Sequence, residues 1–531
     1  MSSLAGTTAL VRLALRRDRL ILAAVIVVLV VMVAASAYAT AKLYPDNASR
    51  LQAAVAVNGT TSTLALYGPI HDETSLGALA TFKMGIMGAV AVAVLALFLV
   101  VRHTRSEEET GRLELLGATV VGRRAPLTAA LLVAGGASLV AGVGTALGLI
   151  AVGMPTTGSV VMGLGFACLG IAFAAVAGLT AQLSRSARTA AGIAGAVLGA
   201  SYLLRAIGDA SAGDGLGWVS WPSPIGWWQQ TRPFAGDRWW VLALLLGAAV
   251  AVTALAYVLA ARRDFGAGLL PDRPGPAAAA GGLRSPLALA WRLQRGSLFA
   301  WAAAFVVVGF VVGGVASSVS GFLKSPQSQD FITKLGGVQG LRDAFLAVEL
   351  GMAGVLASVF GVQAAMRLRS EESALRVEPV LATAVRRTRW AWSHLTIALV
   401  GAAILLVLVG ISAGLAGAMQ VGDSGQLGRT AVAALVQIPA AWVIIGIVVA
   451  VFGLVPRLIV LGWVALAGFV LLGEFGSLFS LPQVVMDISP FAHVPRMPGG
   501  DFAVAPLLSL TAIAAALVVI GLTGFRRRDV G

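Results

Sequence analysis

The chain has 531 residues, and its composition is that of a membrane protein. Hydrophobic residues make up 58% and charged residues only 12%, whereas a soluble domain carries roughly twice that share of charge. The formal net charge of +14 comes from arginines spread over many loops, which argues against a nucleic-acid-binding face.

Twelve apolar segments are predicted to span the membrane, because a run of about 20 apolar residues can cross a bilayer. The fold class predicted from the sequence is therefore an all-α polytopic membrane protein of twelve transmembrane helices. The first segment follows several arginines like a signal peptide, but its length and its match in the second half favour a true span. The predicted spans are 20–41, 80–101, 125–152, 159–183, 189–207, 239–261, 297–318, 344–366, 391–418, 430–454, 458–474 and 504–524.

The arginines predict the orientation of these spans. They concentrate in alternate loops, starting with the segment before the first span and ending with the run after the last. Because cytoplasmic loops carry an excess of Lys and Arg, both termini are expected in the cytoplasm.

A charged sequence occurs twice, after the second and the eighth predicted spans. "RSEEETGRLELLGAT" begins at Arg105, and "RSEESALRVEPVLAT" begins at Arg369. The offset of 264 residues predicts two pseudo-symmetric six-helix halves, 1–264 and 286–531, joined by a Pro- and Gly-rich linker at 265–285. An even number of spans in each half gives the halves the same orientation. The matching candidate coupling residues are Arg105, Ser106, Glu107, Glu108, Arg112 and Glu114 in the first half, and Arg369, Ser370, Glu371, Glu372, Arg376 and Glu378 in the second.

Each charged sequence is predicted to form a helix at the cytoplasmic face, at about 102–122 and 367–387. Glu108 with Arg112, and Glu372 with Arg376, are glutamate-arginine pairs four residues apart, which is the favourable order on a helix. A solvated helix that only keeps the spans in register is the alternative. The duplication in register favours a partner with two matching clefts.

Two six-span halves, each with a charged helix after its second span, resemble the permease of an ABC-2-type ABC exporter. The repeated "RSEE" segments resemble the coupling helices of actinobacterial tetronasin-type antibiotic and multidrug exporter permeases. The resemblance implies an amphipathic helix before the first span, which residues 4–19 match. It also implies re-entrant outer segments, at about 210–237 and 475–503 here, although aromatic residues such as those of "WVSWPSPIGWW" are also typical of an interfacial belt.

The sequence lacks an ATP-binding motif of its own. None of its four lysines follows a glycine, so no G-x-x-x-x-G-K-[ST] phosphate loop exists. The resemblance therefore implies a separate ABC ATPase, in two copies, that binds ATP and magnesium while this chain binds no cofactor. It also implies export of hydrophobic small molecules such as antibiotics or drugs, from a bacterial plasma membrane.

Charged residues inside predicted spans are costly and are candidate functional sites. Lys83 and Glu349 occupy matching places near the outer ends of the second and eighth spans, and Arg205 and Glu474 end the fifth and eleventh. The hypothesis is that Lys83–Glu349 and Arg205–Glu474 pair near an outer gate, although each side chain could instead reach the headgroups independently. An apolar cargo path is expected along Met84, Met87, Phe98, Met352 and Phe360.

Four other functions are alternatives to drug export by an ABC permease. A proton-coupled twelve-helix antiporter needs acids deep in its spans, and the acids here lie near the outer ends. A lipid- or polymer-exporting ABC permease is an alternative with the same predicted architecture. A membrane enzyme is disfavoured, because His71, His103, His394 and His493 have no carboxylate partner at catalytic spacing and no metal-ligand spacing with the single cysteine. A scaffold without transport is the last alternative.

Overall fold

A computed structural model describes residues 2–59, 61–113, 120–264, 266–270, 277–318, 337–421, 425–475 and 482–529. Its chain divides into two compact units, residues 1–275 and 276–531, here called the first and the second unit. The regular structure in the described residues is helical. Eleven helices of the described chain are long and apolar enough to cross a membrane, so the protein is a multi-pass membrane protein.

The first unit has six long helices and three short ones. Helix α1 is continuous from the predicted amphipathic segment through the first span, so residues 4–19 do not form a separate helix before it. The helices are α1 (Thr7–Leu43), α2 (Asn47–Asn58), α3 (Thr61–Tyr67), α4 (Leu76–Val101), α5 (Ala125–Ala151), α6 (Thr156–Leu183), α7 (Ala187–Ala210), α8 (Pro224–Gln230) and α9 (Trp240–Arg262).

The described residues of the second unit form ten helices. Its fourth predicted span is divided at Gln437, because Pro439 cannot donate a backbone hydrogen bond within a helix. Helix α17 has 15 residues and is shorter than a typical span. The helices are α10 (Pro286–Ser318), α11 (Gly337–Ala365), α12 (Arg367–Ser373), α13 (Val377–Leu381), α14 (Arg387–Val421), α15 (Gly425–Leu435), α16 (Ile438–Leu454), α17 (Leu461–Phe475), α18 (Gln483–Met486) and α19 (Val504–Arg527).

Four helix pairings occur in both units. In the first unit, α1 packs on α5, α5 on α6, α4 on α6 and α6 on α9. In the second unit, the corresponding pairs are α10 with α14, α14 with α15, α11 with α16 and α16 with α19. The fourth span is therefore central to the packing of each unit.

Glycines allow these central helices to approach closely, as is common between membrane helices. A Cβ added to Gly142 of α5 would lie 2.2 Å from the carbonyl oxygen of Gly163 on α6. At the α16–α19 crossing, a Cβ on Gly453 would collide with the carbonyl oxygen of Gly521. Because the neighbouring atoms belong to the backbone, neither site can adapt by a side-chain rotation.

We expect Gly453→Leu to separate α16 from α19 and to destabilise the second unit by about 3 kcal/mol, the upper end of the range for overpacked cores. The matched control is Gly468→Leu on α17, where an added Cβ meets no atom within 4 Å. The measurement is the thermal unfolding midpoint of the detergent-purified chain. Equal midpoints for the two variants would contradict this account of the crossing.

Candidate functional site

The first charged segment continues directly from the end of α4. One π turn, Arg102–Ser106, leads into a short helical stretch, Glu107–Glu109. The helix ends there, and Gly111 follows with φ +71°. The predicted 102–122 helix is therefore broken at Gly111: a short extension of α4 precedes the break, Arg112 and Leu113 are helical after it, and Glu114 lies outside the described residues.

Glu108 is buried at the centre of a charged network in the first unit. Its carboxylate accepts two hydrogen bonds from Arg263, at 2.8 and 3.1 Å, and one from the backbone N–H of Gly266, at 2.7 Å. Arg105 is fully buried, lies 3.1 Å from the same carboxylate and also donates to the carbonyl of Ala267 at 2.9 Å. This network joins the end of α4 to the end of α9.

Glu372 makes the equivalent contact in the second unit. Arg528 donates to its two carboxylate oxygens at 2.6 and 2.9 Å, and Arg369 lies 3.3 Å away. The guanidinium of Arg528 also lies over the rings of Phe452 and Phe525, at 5.0 and 5.2 Å from their centroids. The end of the second span is again joined to the end of the sixth, α19.

We call these two contacts, Glu108 with Arg263 and Glu372 with Arg528, the glutamate clamps. The glutamates are 264 residues apart and the arginines 265, so the clamps are equivalent in the internal repeat. Neither arginine was predicted from the sequence to belong to the site. Two features of the sequence pointed to these arginines. Each follows the last apolar run of its unit, and a buried glutamate of the motif needs a cationic partner.

The predicted pairs four residues apart are wrong. Arg112 lies 3.7 Å from Glu107, and Arg376 lies 3.6 Å from Glu371, so each arginine contacts the first glutamate of its motif and not the second. The second glutamate of each motif is instead paired with the arginine of its glutamate clamp. The helix also ends before each arginine, so the four-residue spacing that brings helical side chains together does not apply.

The second charged segment forms two short helices, α12 and α13, instead of the single predicted helix. The N–H of Leu375 donates to the carbonyl of Glu372 at 2.9 Å, and that of Arg376 donates to the carbonyl of Glu371 at 3.0 Å. This pair of bonds is the Schellman motif that ends helices, and it places Leu375 at φ +56°. Gly111 holds the matching position in the first unit.

The candidate coupling residues therefore divide into buried and exposed groups. Glu108, Glu371, Glu372 and Arg105 are buried, while Ser106, Glu107 and Arg369 are partly buried. The exposed members can meet a partner, and we call these the exposed rim. The exposed rim comprises Arg112 in the first unit and Ser370, Arg376 and Glu378 in the second, together with the neighbouring exposed residue Leu375, which was not among the predicted coupling residues.

Asp18 is a further buried acid that the sequence analysis did not identify. Its carboxylate lies 2.8 Å from Arg102 and 2.7 Å from the Nε2 atom of His103, so α1 is held against the end of α4. His103 therefore has a carboxylate partner that its spacing in the sequence did not indicate, because 85 residues separate it from Asp18. Among the described residues, no group of three or more His, Cys, Asp and Glu side chains could hold a metal.

Arg205 is fully buried near the end of α7. It donates to the carbonyls of Ala65 and Leu66 in the last turn of α3, at 2.8 and 3.1 Å, and to Asp209 at 3.3 Å. The side chain thus fixes α3 against α7 within the first unit. The side chain of Glu474, its predicted partner, lies outside the described residues.

Lys83 and Glu349 differ in exposure. Lys83 is exposed, with its ammonium group 5.3 Å from the centroid of the Tyr67 ring. That distance fits a cation–π contact. Glu349 lies on α11 and is partly buried.

The predicted path residues also occupy different environments. Met87 and Phe98 of α4 are exposed, whereas Met84 is partly buried. Met352 of α11 lines a cavity in the second unit. Phe360 is enclosed in the core of that unit.

The aromatic segment at about 210–237 of the first unit packs on the helices of its own unit. Short helix α8 packs against α4, α6, α7 and α9, and Trp228 on α8 is buried. Ser223 begins the helix by accepting a hydrogen bond from the N–H of Gly226 at 3.0 Å. The exposed tryptophans are Trp218, Trp221, Trp239 and Trp240. This part of the chain therefore has both buried and surface tryptophans.

Similarity to known proteins identifies the family. The family model described as "Multidrug efflux system permease Rv1217c, C-terminal domain" matches residues 283–526. The chain is also 46% identical over 532 positions to the "Multidrug efflux system permease protein Rv1217c" of Mycobacterium tuberculosis, an alignment that covers 100% of this chain and 96% of that protein. The chain therefore belongs to the multidrug efflux system permeases, and it is a membrane transport subunit without an ATPase site of its own.

Proposed function

We propose that the chain is the permease of an ATP-driven efflux pump of the ABC-2 type, resembling the tetronasin-type exporters. Its cargo is hydrophobic small molecules such as antibiotics or drugs. The relative named as a multidrug efflux permease supports the cargo class. The observation that carries the mechanism is the pair of glutamate clamps, which tie both repeated charged segments into their helical units in the same way.

The proposed topology has twelve spans in two six-helix halves, with both termini in the cytoplasm. The four helix pairings common to the two units support the two halves. The eleventh span is the least supported, since α17 alone is too short to cross a bilayer. The arginines that precede α1 and end α19 support the cytoplasmic termini.

The proposed partner is a separate ABC ATPase, in two copies, that binds ATP and magnesium. It contacts the exposed rim. The clamps then carry any movement of the charged segments to the sixth helix of each unit, so that each unit moves as a rigid body. Lys83 with Glu349 and Arg205 with Glu474 remain proposed gate pairs, and the methionines and phenylalanines predicted above remain the proposed path.

Inside-out vesicles containing the chain and its ATPase provide the test. We expect accumulation of a lipophilic fluorescent dye, Hoechst 33342, that requires magnesium-ATP, stops with an ATPase-dead partner and continues when an uncoupler removes the proton gradient. The matched control is the same vesicle preparation without the permease chain. Accumulation that stops with the uncoupler and ignores the ATPase mutation would establish a proton-coupled antiporter instead.

Leu375 offers a sharper test of the docking surface. Its apolar side chain is 58% exposed at φ +56°, a conformation that costs a non-glycine residue roughly 1–2 kcal/mol. An exposed leucine in a strained conformation suggests a functional contact. We expect Leu375→Gly to leave the thermal midpoint equal or higher, because the strain is relieved, while ATP-dependent dye transport falls at least several-fold.

Leu458→Ala is the matched control, because Leu458 is an exposed leucine in another loop. It should leave transport unchanged. Unchanged transport in Leu375→Gly would remove Leu375 from the docking surface, and a lowered midpoint would contradict the assignment of strain.

A further inference from the structure

The second unit contains a cavity of about 700 Å³. It lies between α11, α17 and the segment that precedes α19. Among the residues lining it are Asp343, Gly351, Met352, Gln437, Phe469 and Val494.

The size and lining of this cavity fit a small organic ligand. Drug-sized ligands occupy pockets of about 300–1,000 Å³ that are mostly apolar with a few polar groups. The wall is largely aliphatic and aromatic, and its polar members are Asp343, Gln437 and Arg496. One acid and one base leave the wall without a dominant charge, and Met352 can adapt to ligands of different shape.

Among the described residues of the first unit, the cavity at the corresponding segment is much smaller. The cavity there is about 50 Å³, because two aromatic side chains fill it. A Cβ added to Gly85 would lie 3.0 Å from the Trp228 ring. The ring of Phe234 contacts Gly77 and Gly158 even more closely, at 2.4 and 2.2 Å from an added Cβ.

The internal repeat explains the difference between the units. Ser223-Pro224 and Ser489-Pro490 are 266 residues apart, and Ser223 and Ser489 are both buried. The same offset places Val494 opposite Trp228 and Gly500 opposite Phe234. Small residues thus stand in the second unit where the first has its two filling aromatic rings, and Val494 and Gly500 both line the 700 Å³ cavity.

We propose that this cavity binds the cargo, a lipophilic small molecule of drug size, and that the corresponding segment of the first unit does not. The proposal rests on the proposed function, since it names the place where the exported molecule is held. The two halves of the repeat would therefore differ in function, because only the second would bind cargo at this segment. The first unit's outer segment is a packed structural element, and the second unit's is one wall of a binding site.

Gly351 provides the means to block the cavity. It lines the cavity on α11, and an added Cβ would meet no atom within 4 Å. Gly351→Phe should therefore fill the space without disturbing the helix packing. Gly351→Ala is the conservative control, and Gly468→Phe places the same ring at an open position on α17 that does not line the cavity.

The experiment is photolabelling of the purified chain in nanodiscs with a neutral aromatic probe that carries a diazirine, followed by peptide mapping. We expect labels at 343–355 and 491–500 that an excess of unmodified probe suppresses. Gly351→Phe should lower this labelling at least tenfold, while both controls retain it and all variants keep the wild-type thermal midpoint. Unchanged labelling in Gly351→Phe, or equal labelling at 224–234, would overturn the proposal.

A second arm separates cargo from membrane lipid. A phosphatidylcholine with a diazirine in its acyl chain is used in place of the aromatic probe. Labelling of the cavity by the lipid alone would overturn the assignment to cargo. Neither arm needs ATP or the ATPase. The labelling result can therefore contradict the proposed binding site while ATP-dependent dye transport is intact, and dye transport can be absent while the cavity is labelled as expected.

Discussion

Replacing Glu372 with leucine is expected to destabilise the chain by about 3–5 kcal/mol, because it leaves Arg528, whose side chain is only 18% exposed, without its carboxylate partner. Arg528 donates two hydrogen bonds to Glu372 and is largely enclosed by Phe452 and Phe525. The guanidinium has no other carboxylate among the described side chains. The measurement is the thermal midpoint of the detergent-purified chain, followed with its yield in the membrane.

The double variant Glu372→Leu/Arg528→Met should recover most of this loss, since removal of both charges leaves neither unpaired. Glu378→Leu is the matched control in the same charged segment, where the glutamate is exposed. We expect it to change stability by less than about 0.5 kcal/mol. If Glu372→Leu and Glu378→Leu were equally stable, the clamp would not hold the second unit together.

The clamps also change how coupling should be tested. Reversal of Glu108 and Glu372 to lysine would place like charges against Arg263 and Arg528 in buried sites. Loss of transport would then report a damaged permease and not a lost partner. Substitutions of Ser370, Leu375 or Glu378 on the exposed rim avoid this problem, because the first two side chains are uncharged and Glu378 is exposed.

Replacing Arg205 with methionine should cost a similar amount, about 3–5 kcal/mol. It leaves Asp209 buried without its cation and removes the Arg205 donors from the carbonyls of Ala65 and Leu66, of which only Leu66 keeps a donor, the hydroxyl of Tyr202. Those carbonyls lie in the last turn of α3, where no further helical N–H can reach them. A lower thermal midpoint, with earlier proteolysis between α2 and α4, is the expected result.

Glu474→Gln is the control, since the gate hypothesis pairs this residue with Arg205. If Arg205 is an anchor within the first unit, Glu474→Gln leaves stability unchanged, and the two substitutions have additive effects on transport. A strong non-additive effect on transport, with a normal midpoint for Arg205→Met, would contradict the anchor and favour the gate.

The spans were the most predictable part of the fold. Eleven of the twelve predicted segments coincide with helices long enough to cross a membrane, because an apolar run of that length has few alternatives to a helix in lipid. The exception, α17, has 15 residues. The repeat was equally visible, since the RSEE sequences recur at a constant offset.

The charged segments were predicted less well. Their residues favour a helix by composition and charge order, and the sequence analysis extended one helix through each segment. Gly111 and Leu375 instead end the helix with positive φ angles. Glycine is a common signal for such an end, but leucine is not, and nothing in the second segment's sequence marked the break.

The sequence by itself determined the membrane class, the number of apolar segments, the duplication and the positions of the charged motifs, because these depend on local composition and spacing. Only the tertiary structure decided which side chain each charge meets. Arg263 reaches Glu108 across 155 residues, and Arg528 reaches Glu372 across 156. Whether the segment that holds Trp228 or the one that holds Val494 fills or lines a cavity likewise depends on the volume of that side chain between helices distant in the chain. Contacts of this kind follow from packing in three dimensions, which periodicity along one segment does not encode.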